Sequence, residues 1–399
     1  MGGIDRIENE IVLHGRRNNQ AWFEPRMGVI PARGPGLAPE VFVAATLLTG
    51  DDVGPQAFIR TSDLGRTWTA PALSQQWFKV PMADDVYEEP WFGPVYHKKT
   101  DSLVAIGQTH FVRDAGDDLG HKKEHHVRLP DAVPSIAYSP WNPEAGDFEP
   151  WKRMKQPGDL KLSIYYAGQK HEHADGTMLI PGYYRSGPER MGGSRHSNIT
   201  VLRCGYDGAD LEYLGHGSVH TVEDGNGLDE PSLVFFQDKY FLTIRQLFRS
   251  YVGASADGMH FSELKPWTFD DGSDLGNYNT QQHWLKHGGR LYLVYNRRSE
   301  LNNGVFRSRA PLFMAEVDPD RLCVRRDTER IVFPENGARM GNFCMADVGP
   351  SESWVISGEW LEGMFPHSLK GRRFHVESDT INYIRYIGNL LLARVHWKA

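Results

Sequence analysis

The feature that most limits how this chain can fold is a pattern that returns six times. Short apolar runs ending in polar or aromatic residues begin at Val41, Ser102, Thr177, Tyr240, Arg290 and Ser353. Each is preceded by another short run: WFEPRMGVI, EEPWFGPVY, LSIYYAG, EPSLVFF, TQQHWLKH and GNFCMADV. Each is followed by a third, beginning at Ala57, Ser135, Ile199, Tyr251, Pro311 and Leu390. Runs of this length, rich in β-branched and aromatic residues and bounded by Gly, Asp and Pro, fit strands separated by turns. No long stretch keeps the 3.6-residue period of an amphipathic helix. Three or four strands per unit and six units in a row specify an all-β chain folded as a six-bladed β-propeller.

Two turns punctuate the repeat in the same way. Ser62-Asp63-Leu64-Gly65-Arg66-Thr67-Trp68 and Ser255-Ala256-Asp257-Gly258-Met259-His260-Phe261 each place Asp before a small turn, with an aromatic residue closing it. Asp bonds its own backbone and Gly accepts positive φ, so the chain reverses at little cost. The 41 glycines and 24 prolines are scattered evenly and no low-complexity linker interrupts them, so residues 1–399 read as a single domain. The opening DRIENEIVLHG is strand-like, as is the closing LLLARVHW, and pairing the two would close the ring and hide its open edges. Seven blades is the competing count, because residues 113–150 have room for further strands. The charged stretch from His110 to Arg128 is expected to be a loop capping one face.

Composition narrows the function. A net charge of −7 argues against a nucleic-acid or anionic-membrane surface, and no apolar run reaches the length of a membrane span. The first residues, MGGIDRIENE, lack the apolar core of a secretory signal, so a cytoplasmic location is expected, or a secreted or periplasmic one if a signal has been removed. Cys204, Cys323 and Cys344 are isolated, which predicts buried thiols and neither disulfides nor a zinc site. The histidines at 121, 125 and 126 and at 171 and 173 have no metal-ligand spacing, and Asp270, Asp271 and Asp274 do not match a calcium loop. No metal or other cofactor is expected.

In a propeller the ends of the first and second strands of each unit meet around a central channel on one face. On that face the sequence places Arg26 and Asp52, then Glu88, Glu89, Gln108 and His110, then Tyr166, Tyr184 and Arg185. The later units add Glu230 and Arg245, then Gln282, His283 and Arg297, then Arg309 and Asn342. Several arginines aimed at one spot require an anion or paired acids. The planar guanidinium binds a carboxylate through two parallel hydrogen bonds, so an acidic sugar is one answer and structural Arg–Glu pairs are the other. Gln281, Gln282 and His283 have the chemistry to read sugar hydroxyls. His110 and Tyr184, beside a carboxylate-neutralising arginine, could act as base and acid in β-elimination of a uronate.

The Asp63 and Asp257 turns resemble the Asp-box repeats of the sialidase superfamily, and the order of charged residues along the chain is similar as well. The resemblance implies a six-bladed propeller with an arginine triad gripping the substrate carboxylate. It also implies an Asp acid/base and a Tyr nucleophile assisted by a Glu. On this chain it places the first arginine at Arg26 in EPRMGVIP and the acid/base at Asp51 or Asp52 in TGDDVG, with Asp52 taken here. It places the glutamate at Glu230 in DEPSL and the second arginine at Arg245 in LTIRQ. The third is Arg309 in RAPLFMAEV, with Arg307 as second choice. The nucleophile's segment falls on RMGNF, where the chain has Asn342 and Phe343 and no phenol. The expected function is exo-acting hydrolysis of an acidic sugar (sialic, ulosonic or uronic) in glycans. A uronate-cleaving polysaccharide lyase and a non-catalytic glycan-binding propeller are the alternatives.

Overall fold

The computed structural model describes residues 3–18, 20–48, 54–83, 85–116, 122–127, 134–157, 162–184, 197–225, 227–302, 305–360 and 388–398. Six antiparallel sheets hold the strands. Their innermost strands are Trp22–Ile30, Val86–His97, Leu162–Ile164, Asp229–Phe236, His283–His287 and Phe343–Gly349. The second strands are Glu40–Leu47, Ser102–Gly116, Met178–Tyr184, Lys239–Arg245, Arg290–Tyr295 and Glu352–Gly358. The third strands are Gln56–Thr61, Ile136–Asn142, Asn198–Tyr206, Tyr251–Ser255, Leu312–Asp318 and Leu390–Trp397. All eighteen coincide with the runs legible in the sequence, and the molecule is a six-bladed β-propeller.

The sixth sheet is completed from the other end of the chain. Ile4–Leu13 lies antiparallel to Leu390–Trp397, with Ile7 opposite Val395 and Ile11 opposite Leu391. Arg394 clamps this junction, donating to Glu10 and Glu352 at 2.8 Å and to the Leu64 carbonyl of blade 1 at 3.0 Å.

Residues 113–150 hide no seventh blade among the described residues. Where it is described, the charged stretch is strand rather than loop: Ser102–Gly116 pairs with Lys122–Val127, and both belong to blade 2. The backbone continues the ladder there because extending a strand satisfies its N–H and C=O groups in register.

Blades are held to one another by aromatic and aliphatic side chains filling the wedge between sheets. Between blades 4 and 5, Phe236 and Phe241 pack with Trp267, Trp284, Leu293 and Phe313. The two buried indoles are not left unsatisfied: Trp267 donates to Thr243 Oγ1 at 3.0 Å and Trp284 to the Ser232 carbonyl at 2.9 Å. The outer turns share one device. Asp63, Asn142, Asp207, Asp257 and Asp318 each accept hydrogen bonds from backbone N–H groups two to four residues ahead. The ladder sets Glu89 opposite His110 and Asp229 opposite Arg245. Entries of inner strands and exits of second strands therefore share one face.

Candidate active site

The inner strands of blades 1 and 4 enter the channel in the same unusual way. Glu24 and Glu230 have φ of 47° and 45°, and each precedes a proline. Pairing skips between Phe23 and Arg26 and between Asp229 and Ser232, so each strand bulges at its Glu-Pro step. Left-handed backbone at a non-glycine residue costs of order 1–3 kcal/mol, and such strain collects at functional sites. Asn279, Arg307 and Ser308 have φ of 49°, 54° and 50°. They belong to segments that reach the same mouth.

Around that mouth runs a chain of hydrogen bonds carrying three arginines from three blades. Arg26, only 3% exposed, donates from Nη2 to Tyr165 Oη and to Gln281 Oε1, both at 3.3 Å. Gln281 donates onward to Tyr165 Oη at 3.0 Å and to Asn342 Oδ1 at 2.5 Å. Beside Asn342, Gly341 lies under the Arg309 side chain, and a Cβ there would fall 2.5 Å from Arg309 Cδ. Arg309 donates to the Asn279 carbonyl at 3.4 Å, while Arg245 donates to Asn279 Oδ1 at 2.6 Å. Arg245 also ion-pairs with Glu230, whose own N–H donates to Tyr183 Oη at 2.7 Å.

The electrostatics of the arc follow from this geometry. Burial works against the Arg245 charge, but Glu230 and Asp229 outweigh it and hold its pKa above the usual value. Burial, reinforced by Glu230 and Glu24, raises the Tyr165 phenol well above its usual range, so it keeps its proton at neutral pH. Tyr183 is raised too, by burial and then by Asp229 and Glu230. The hydrogen bonds of Arg26 all go to neutral groups, its nearest carboxylate oxygen being that of Glu24 at 3.9 Å. Glu230 Oε2 is buried and accepts no hydrogen bond among the described residues.

Of the residues singled out from sequence, the structure brings Arg26, Glu230, Arg245, Arg309 and Asn342 onto this arc. Asp52 lies outside the described residues, as do Asp51 and Arg185. His283 touches the arc through Gln281 at 2.8 Å, but its other ring nitrogen is used by Ser232 at 2.9 Å. Burial, Arg26 and Lys170 push its pKa well down, so the ring is neutral. Gln282 is not on the arc. Its amide is spent inside blade 4, accepting from Thr243 at 3.1 Å and donating to Ser250 Oγ at 2.7 Å and the Thr280 carbonyl at 2.5 Å. Gln281, by contrast, bonds Tyr165 and Asn342 on the arc.

Alternation along a strand corrects the His110–Tyr184 pairing. Tyr184 packs against His216, ring centroids 5.3 Å apart, in the wedge between blades 2 and 3. Tyr183 instead shares a cluster with Trp91, Tyr165 and Tyr166. His110 bonds Glu89 at 2.8 Å and lies on Trp91 with centroids 3.8 Å apart, so the phenol on its side is Tyr183. Glu88 and Arg297 are structural ion pairs, with Arg153 and Glu329 respectively. Sequence reasoning missed Tyr165, Tyr183, Glu24 and Asn279. The repeated Glu-Pro at inner-strand entries was the available signal for Glu24. The doublets Tyr165-Tyr166 and Tyr183-Tyr184 left strand phase undecided. The three cysteines are buried and free. Among the described residues, no three His, Cys, Asp or Glu side chains gather as metal ligands.

No protein-family sequence model and no curated protein matches the chain. Solved structures do. A protein of unknown function from Dyadobacter fermentans aligns at a TM-score of 0.63 with 12% identity, over 99% of this chain and 100% of that one. NanB sialidase from Streptococcus pneumoniae aligns at 0.60 with 11% identity, over 98% of this chain and 70% of that one. The fold is a sialidase-like propeller. Trypanosoma rangeli sialidase aligns at 0.51 with 10% identity, and the chain spans 60% of its length. At these identities the likeness of this sialidase-like propeller to its neighbours is one of architecture, and the chemistry must be argued from its own residues.

Proposed function

We propose that this sialidase-like propeller is a carbohydrate-active enzyme that hydrolyses a terminal acidic sugar from a glycan. The observation that carries this reading is the arc itself: three buried or nearly buried guanidinium groups from three blades, tied together by Asn279, Gln281 and Asn342 beside a strained glutamate. Concentrating cations in a buried ring is unfavourable unless an anion completes it. A sugar carboxylate matches the fork geometry of Arg26, Arg245 and Arg309. Glu230 Oε2 is then free to accept a proton from a water molecule at the anomeric carbon. The protonated phenols of Tyr165 and Tyr183 donate hydrogen bonds at the same mouth. Asp52 is the proposed acid for the leaving oxygen. With Asn342 where a nucleophilic phenol would stand, direct attack by water and inversion at the anomeric carbon are expected.

The test is incubation with sialylated, ulosonic-acid and uronate-terminated glycans, reading released reducing sugar and the ultraviolet absorbance of an unsaturated uronate. Reducing sugar without absorbance, with the inverted anomer seen first by NMR, is the expected result. Absorbance would mean elimination, a retained anomer would mean a covalent intermediate, and binding without turnover would mean a glycan-binding propeller.

A further inference from the structure

On the side of Arg26 away from Glu230, the central channel opens into a cavity of about 820 Å³, a volume typical of small-molecule sites. It is lined by the continuing inner strands of blades 1, 2 and 6 and by residues 166–170 of blade 3. Met27, Val29, Pro94, Val95, Met345 and Val348 make its walls mostly apolar. Its charged groups are mainly cationic: Arg26 and Lys170 line it, with Lys98 also present. Lys170 Nζ donates to the Tyr166 and Gly168 carbonyls, both at 3.0 Å. An ammonium has three donors, so one remains without a protein acceptor among the described residues. Arg26 Nε is buried and also lacks a partner. His283 is neutral and has both ring nitrogens engaged. Asp347, the one carboxylate among the lining residues, is half-exposed and already bonds His287 and Ser353.

A buried guanidinium and a partly buried amine, neither hydrogen-bonded to a carboxylate among the described residues and both set among apolar walls, describe one half of a complementary pair. We propose that this cavity is a second ligand site, adjoining the proposed sugar site at Arg26, for a monocarboxylate carried on an apolar chain or ring. The carboxylate meets the free Lys170 donor near the Arg26 guanidinium, and the apolar body lies along Met27, Val29, Pro94 and Val348. Water alone would leave the apolar walls wet and the Lys170 amine without an acidic partner.

The experiment is calorimetric titration of the whole chain with octanoate, with 1-octanol as a neutral competitor. Saturable one-to-one octanoate binding that 1-octanol does not displace is expected. Lys170→Met should weaken it at least tenfold while circular dichroism stays native, and Val29→Trp, which fills the channel from another wall, should do the same. Arg245→Ala, which disables the sugar site, should leave octanoate binding intact. Absence of saturable binding to the wild type, or equal affinity in Lys170→Met, would overturn the proposal. So would loss of binding in a folded Arg245→Ala variant, which would place octanoate in the sugar site.

Discussion

Tyr183 and Tyr184 differ in one thing, the face of the strand they occupy, and that difference is testable. Tyr183→Phe removes the acceptor for the Glu230 N–H at the strained strand entry. A buried unpaired N–H costs about 1–3 kcal/mol, and the loosened glutamate should lower turnover roughly a hundredfold. Tyr184→Phe should leave steady-state kinetics unchanged, and a loss equal to that of Tyr183→Phe would contradict the strand phase. Arg245→Ala leaves Glu230 without its ion pair in a mostly buried position. Loss of about 3 kcal/mol in denaturant unfolding and of nearly all turnover is expected. Lys170 makes a prediction in pH. Burial, with Arg26 nearby, pulls its pKa down to about 7, whereas an unfolded lysine titrates near 10.5. Between those values the unfolded chain holds the extra proton, so this residue makes stability rise with pH across that window. Below about 7 both states are charged and the cost of burying the ammonium is felt in full. Lys170→Met should flatten that part of a Tm-against-pH curve.

Among the elements, the outer turns and the Gly341 crossing do different work. Asp257 accepts from the Met259 and His260 N–H groups in an exposed turn, and it makes none of the hydrogen bonds of the arc. Asp257→Ala should cost about 1 kcal/mol, as loss of a backbone cap does, and leave turnover untouched. Hydrogen bonds from Thr67 and Thr61 hold the Asp63 carboxyl down at about 2, below the usual 3.8. The stabilising contribution of that turn is therefore complete above about pH 3.8 and disappears as pH falls through about 2. Gly341→Ala acts in the opposite sense to Asp257→Ala. Its methyl group would collide with Arg309 Cδ, so Arg309 must leave the arc. A rise in KM with a fall in Tm no larger than overpacking of about 1–3 kcal/mol explains is expected. Unchanged KM would remove Arg309 from substrate binding.

At the scale of the whole molecule the ring depends on its two ends meeting. Arg394 joins the first strand, blade 6 and the Asp63 turn of blade 1 at one guanidinium. Deleting residues 1–13 would leave Leu390–Trp397 as an open edge, which is a template for pairing between chains. Loss of cooperative thermal unfolding and concentration-dependent association in light scattering are expected. A monomer with an unchanged Tm would show that the ring holds without this strand.

The blade count and all eighteen inner, second and third strands were legible in the sequence, because a period-2 apolar run bounded by turn residues has few other ways to bury itself. The positions of Glu230 and Arg245 were legible for a related reason, since they stand at strand ends that a propeller turns towards its axis, whereas Arg26 lies inside Trp22–Ile30, beside its Glu-Pro bulge. What lay beyond the sequence was the phase of each doublet and the identity of partners from other blades. Tyr183 was separated from Tyr184 by the strand's place in its ladder, and Gln281 from Gln282 by partners supplied from other segments. Asn279 gained its place between Arg245 and Arg309 only when blades 4 and 5 closed on one another. The cavity beneath Arg26 belongs to no single segment. It is the space left when residues from blades 1, 2, 3 and 6 meet around an axis, and tertiary structure alone decides which cations face it.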